Sequence, residues 1–124
     1  MKVIDTIENI TFDRSEFRRD NNVWRAETLY LFAKAKEYPV LDLPLWAIDL
    51  SDEPFESRNL KQFIENVKRV NDCSLEYPII LDDNGQIADG YHRLCKAILE
   101  GHETIKAIRL EEMPSPDRIE ENEE

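Results

Sequence analysis

The sequence predicts an α+β fold, a small mixed sheet carrying three main helices. Three observations lead there. The runs Pro78-Ile79-Ile80-Leu81 and Gln86-Ile87-Ala88 are short and apolar, and Asp82-Asp83-Asn84-Gly85 between them holds the Asn-Gly signal of a hairpin turn. Leu60, Phe63, Ile64, Val67 and Val70 recur at i, i+3, i+4, i+7 and i+10, the period of an amphipathic helix. After Ala88 the chain changes period again, and Tyr91, Leu94, Cys95 and Ile98 fall on one helical face.

Taken in order, residues 1–21 form an N-terminal arm. Val3, Ile4, Ile7, Ile10 and Phe12 keep no clean period, so an extended arm or edge strand is expected, and Asp13 to Asn22 reads as a polar connection. Arg14, Arg18 and Arg19 in that connection either face solvent or reach a ligand's phosphates. Asn22 is placed to cap a helix near 22–37, with a stripe of Ala26, Leu29, Phe32 and Ala33 that ends at Pro39. Trp24 and Tyr30 flank it as core aromatics or as stacking surfaces for a base. Val40 to Leu45 is expected as an extended linker and Trp46 to Leu50 as a strand. Ser57 would cap the helix near 58–71, whose apolar positions are expected in the core. A third helix is expected over 90–101, begun by Asp89 as cap and ended at Gly101, with Thr104 to Leu110 as the closing strand. His102 then meets the negative end of that helix.

The chain has 124 residues and a net charge of -11, with 41% hydrophobic and 35% charged residues, which fits one folded domain with a highly solvated surface. Residues 22–110 are expected to be that domain. The segment 111–124 holds seven acids and one Arg, so the tail carries -6 and residues 1–110 carry -5. With Pro114 and Pro116 interrupting it, the tail reads as acidic and disordered, a docking arm for a basic protein partner at most. No basic stripe accompanies this charge, so direct nucleic-acid binding is not expected. No apolar run reaches the length of a membrane span and the start has no leader pattern, so a cytoplasmic location and no membrane contact are expected. Cys73 and Cys95 show neither metal spacing nor a paired framework and are expected as reduced thiols. Asp82 and Asp83 are better explained as turn formers than as metal ligands, and no metal site is expected.

The chemistry concentrates at Asp89-Gly90-Tyr91-His92-Arg93. A strand that runs through Asp-Gly into a helix presents backbone N–H groups at the helix start, where Gly90 has no side chain to block a ligand. Arg93 in the first turn has the planar fork that matches phosphate oxygens. His92 beside it titrates near neutrality in its ordinary state, and so is a candidate acid or base. Two readings stay open: a phosphate site, or a capped helix whose surface Arg pairs with a carboxylate.

Asp89 to Ala97, followed by Gly101 and a closing strand, resembles the signature of the ParB/sulfiredoxin superfamily, over roughly Leu43 to Leu110. The resemblance implies a small stand-alone nucleotide-binding domain in which the Gly-x-x-Arg turn, here Gly90, Tyr91, His92 and Arg93, holds the phosphates of ATP or CTP, with Mg²⁺ as an accompanying ion. It also implies a role for Arg58, the best match to an Arg before the middle helix, and places Asp89 close to the reacting groups, as in the ParB-like serine kinases. A nucleotide-dependent phosphotransferase or ATPase with Asp89 and His92 as catalytic residues is the activity implied. Sulfinic-acid repair is not: sulfiredoxins carry their reactive Cys where this chain has Tyr91. The alternative is a non-catalytic acidic interaction module of the same fold.

Overall fold

The computed structural model describes residues 15–51 and 55–121, and the expected N-terminal arm lies almost entirely outside them. It is an α+β structure with three α-helices and two small sheets rather than the single sheet expected. The chain divides into two interleaved compact units, one of Met1–Pro39, Ile80–Asp89 and Ile108–Glu124, the other of Val40–Ile79 and Gly90–Ala107. This division does not follow the boundaries anticipated at 22 and 110.

In the first unit, β1 (Glu16–Arg19) and β2 (Asn22–Arg25) form an antiparallel hairpin with Phe17 opposite Trp24, their rings stacked 5.8 Å apart. The stretch expected as a solvated loop is therefore sheet, and Asn22 begins a strand rather than capping a helix. The turn signal was Asp20-Asn21: Asp20 takes φ 58, a left-handed conformation that Asp tolerates better than most residues. Helix α1 (Ala26–Ala35) follows directly. Its far end closes with Tyr38 N–H donating to the Ala33 carbonyl and Glu37 N–H to the Lys34 carbonyl, both at 3.1 Å, with Glu37 at φ 58 in the position glycine usually takes.

The tail is not disordered through 121. Met113 packs against the core, Trp24 Nε1 donates to the Pro114 carbonyl at 2.8 Å, and Arg118–Ile119 pairs antiparallel with β2, giving the order β1, β2 and tail strand. Asp117 receives the Arg25 N–H at 2.7 Å and the Thr28 hydroxyl at 2.9 Å, so it supplies the start of α1 with the side-chain acceptor that Arg25 does not provide. The core of this unit is Trp24, Leu29, Ala33, Ile80, Ala88, Ile108 and Leu110. Trp24 is thereby enclosed and takes no part in stacking on a ligand.

The predicted hairpin is present as β4 (Ile79–Leu81) and β5 (Ile87–Asp89), paired Leu81 to Ile87 and Ile80 to Asp89 with an irregular register between them. Asp82 organises the turn. Fully buried, its carboxylate accepts the N–H groups of Asn84 and Gln86 at 2.9 Å each, and Arg19 pairs with both Asp82 and Asp83. Gly85 takes the left-handed position, φ 85. The turn-forming role expected of Asp82 and Asp83 is what the geometry displays.

In the second unit, β3 (Leu41–Pro44) pairs antiparallel with β6 (Thr104–Arg109), Leu43 facing Ile105. The four-stranded sheet has the order β3, β6, β4, β5. The strand thus lies earlier than expected, in the supposed linker, while Leu45–Ala47 is a 3₁₀ turn and Trp46 is 87% exposed. Pro44, at φ -63, ends the strand and opens the turn. Helix α2 (Leu60–Asp72) is capped by Asn59, not Ser57: Asn59 Oδ1 accepts the Gln62 N–H at 2.9 Å, and Gln62 Oε1 accepts the Arg58 N–H. Helix α3 (Tyr91–Leu99) packs against α2, and Lys96 Nζ donates at 2.8 Å to the carbonyls of Asn71 and Cys73 at the end of α2. His102 N–H donates to the Ala97 carbonyl and Gly101 N–H to Ile98, closing α3 at the expected glycine, φ 77. No helix among the described residues is long and apolar enough to cross a membrane.

Candidate functional site

Gly90 is the N-cap of α3, with φ 116, and no side chain caps this end. Asp89 is the last residue of β5, so the capping role expected of it is not observed. The physical reason is that the chain turns one residue later, at the only residue type that enters this region of φ without strain. Space imposes a second restriction. A Cβ on Gly90 would lie 2.4 Å from Ile79 Cγ2, so packing inside the unit, and not only an incoming ligand, excludes a side chain here.

His92 and Arg93 stand in the first turn, both half-buried. The imidazole of His92 stacks on Phe55 with ring centroids 4.5 Å apart and planes 4° from parallel, and its Nε2 lies 2.9 Å from Asn66 Oδ1. Asn66 Nδ2 donates in turn to the Glu56 carbonyl at 2.9 Å, which fixes Oδ1 as acceptor and makes Nε2 the protonated nitrogen of a neutral ring. Burial pushes the His92 pKa down to about 4, with the Arg69 and Arg93 guanidinium groups adding to the effect. The expectation of an imidazole poised near neutrality is therefore corrected: at pH 7 this ring has no extra proton to give as a general acid. It retains a hydrogen-bonding role.

Arg93 Nη1 donates to the Pro78 carbonyl at 3.2 Å, which ties α3 to the approach to β4. The reading of Arg93 as a surface partner for a carboxylate is not what the geometry displays. Arg69 from α2 also faces His92, so two cations flank the first turn of α3 in a chain whose net charge is -11. Arg58 is exposed and pairs with Glu56 at 3.0 Å. Its loop reaches the site through the Glu56 carbonyl and Phe55, while the Arg58 side chain is engaged with that neighbour. Tyr91 is half-buried at the first position of α3.

Phe55, Asn66 and Arg69 are the site residues that sequence reasoning missed. Asn66 carried a signal, since a mid-helix Asn is a poor helix former unless its amide has a partner. Cys73 and Cys95 are free and half-buried, and desolvation raises both thiol pKa values, so neither is a nucleophile at neutral pH. Among the described residues no group of three or more His, Cys, Asp and Glu side chains is placed to hold a metal ion.

Fold and site together define a small α+β protein with a glycine-opened, arginine-flanked helix start. No protein-family model, curated protein or solved structure matches the chain.

Proposed function

We propose that the turn from Gly90 to Arg93 holds the phosphates of a nucleotide, ATP or CTP, as its resemblance to ParB/sulfiredoxin domains implies. The observation that carries this reading is the junction itself: a left-handed glycine opens α3 with no side-chain cap, beside the guanidinium groups of Arg93 and Arg69. Arg93 supplies the fork, Tyr91 and His92 the walls, and Arg58 lies on the loop that reaches the site through Phe55. Mg²⁺, where used, arrives bound to the nucleotide and neutralises it there.

Phosphotransfer is the finer form of the proposal. His92 is neutral and clamped, so its part is to orient and to hydrogen-bond rather than to donate a proton, and Asp89 is the carboxylate left to face a transferred phosphoryl group. The alternative, an acidic module docking a basic partner through the tail, loses ground because Asp117 and Glu120 are engaged with Arg25, Arg18 and Arg118.

Titration of ATP, CTP and ADP with Mg²⁺ tests the reading. One of them is expected to bind, and Arg93→Ala to weaken it by tenfold or more, about 1.4 kcal/mol. Because Arg93 also holds the Pro78 carbonyl, Arg93→Lys serves as the second variant: it keeps a donor and loses the two-point fork. No binding by any nucleotide, or equal binding by folded Arg93→Ala and Arg93→Lys, removes the proposal.

A further inference from the structure

Helix α2 is packed the wrong way round for a core helix. Leu60, Phe63, Ile64 and Val67 lie on one face at helical spacing, and they are 72%, 56%, 49% and 43% exposed. The opposite side is the one that meets the unit, and apart from Val70 it is polar, with Asn66 on His92. An amphipathic helix ordinarily turns its apolar stripe to the core, because each such side chain contributes about 1.5–3 kcal/mol on burial. Here that contribution is unrealised in the single chain. Neighbours at three and four residues make one contiguous strip on the order of a few hundred Å², the size at which exposed apolar surface marks an interaction site.

The flank of the strip says what covers it. Lys61 and Glu65 stand 4.0 Å apart as an i, i+4 pair, and Lys68 pairs with Asp72 one turn on, so the edge alternates in sign instead of carrying one. A strongly basic or acidic partner has no matching field there. A second copy does: when the helix is laid antiparallel on itself, Phe63 against Ile64 of the second copy and Leu60 against Val67, Lys61 of each copy comes beside Glu65 of the other. This is the self-complementary arrangement that a two-fold axis requires. We propose that α2 is a self-association surface through which two copies of this chain pair antiparallel.

Two facts set the strength. The strips together bury well under the roughly 1,200 Å² of a standard interface, so the dimer is weak, in the micromolar range or above. Each copy also carries -11, and this repulsion is screened by salt, whose Debye length falls from about 30 Å at 0.01 M to about 8 Å at 0.15 M. Association through an apolar strip between two acidic chains should therefore tighten as salt rises, the opposite of an interface held by ion pairs.

Sedimentation equilibrium of the full chain, from low micromolar to near millimolar concentration at low and high salt, reads this directly. A monomer–dimer equilibrium is expected, tightened by salt, and weakened roughly tenfold or more by Phe63→Glu or Ile64→Lys, since a charge is then left facing apolar surface. Both positions are solvent-exposed in the single chain, and circular dichroism verifies that at least one variant folds. Leu99→Glu, at an exposed apolar position on α3 rather than α2, should leave the association constant unchanged. A monomer at every concentration, a dimer indifferent to both α2 variants, or one weakened equally by Leu99→Glu overturns the proposal.

Discussion

At Gly90, backbone conformation and packing make the same demand. Its φ of 116 disfavours any L side chain, and Ile79 occupies the space a Cβ would take. Gly90→Ala is expected to cost roughly 2–4 kcal/mol, from left-handed strain plus overpacking, as measured by urea unfolding. Ile79→Ala in the same chain should recover part of that cost, and a strictly additive double-mutant cycle would show that the Ile79 contact is not the cause. His92 supplies a pH signature. Its pKa falls from the ordinary 6.5 to about 4 on folding, chiefly through burial, so between those values the unfolded chain takes up a proton that the fold excludes. The stabilisation associated with a neutral His92 is complete above pH 6.5 and is lost as pH drops toward 4. Across that window the melting temperature of wild type should therefore fall more steeply than that of His92→Gln. Parallel curves would mean that the ring titrates normally in the folded protein.

Among the elements, α1 shows how a helix start is completed by residues ninety positions away. Asp117 takes the Arg25 N–H and the Thr28 hydroxyl, and its pKa is lowered first by that N–H, then by the hydroxyl and by Arg25 and Arg118. Arg118 forks onto Glu16 at 2.6 and 2.9 Å, which likewise holds the Glu16 carboxyl below its ordinary value. Both carboxylates therefore stabilise the fold above their unfolded pKa values, and the tail strand loosens as pH falls below the carboxylate range. Asp117→Ala is expected to cost about 1 kcal/mol, the usual cost of losing a cap. Hydrogen exchange should speed up at Asn22 to Arg25 and Arg118–Ile119, and unchanged protection at β2 would deny the tail this role. The tail looked like a disordered end because its composition is acidic and proline-bearing. Its partners, Arg25, Trp24 and the open edge of β2, are distant in sequence, and composition carries no information about them.

For the molecule as a whole, the hairpin of β4 and β5, the existence of three helices and the glycine stop of α3 were legible from local signals. Asn-Gly at a turn, apolar residues at 3.6 spacing and Gly101 after the last periodic position each act within a few residues. The hairpin of β1 and β2 was not legible. Its strands, Glu-Phe-Arg-Arg and Asn-Val-Trp-Arg, are charged, and their charges find partners only in Glu120, Asp82, Asp83 and Asp117. The period of α2 was legible as well, but not the direction its apolar face takes, and the expectation that Leu60, Phe63, Ile64 and Val67 lie in the core is overturned by their exposure. Periodicity says that a helix has an apolar side without saying whether its own chain has anything to set against it.

The order of residues therefore settled the α+β class, the strand–glycine–helix junction and the charge, because each depends on neighbours a turn or less apart. Folding in three dimensions settled the rest. It decided that His92 is neutral, that Arg93 meets Pro78, that the acidic tail closes a sheet and that α2 shows its apolar face to solvent. Those outcomes rest on burial and on hydrogen bonds between residues far apart in the chain, which no local pattern encodes.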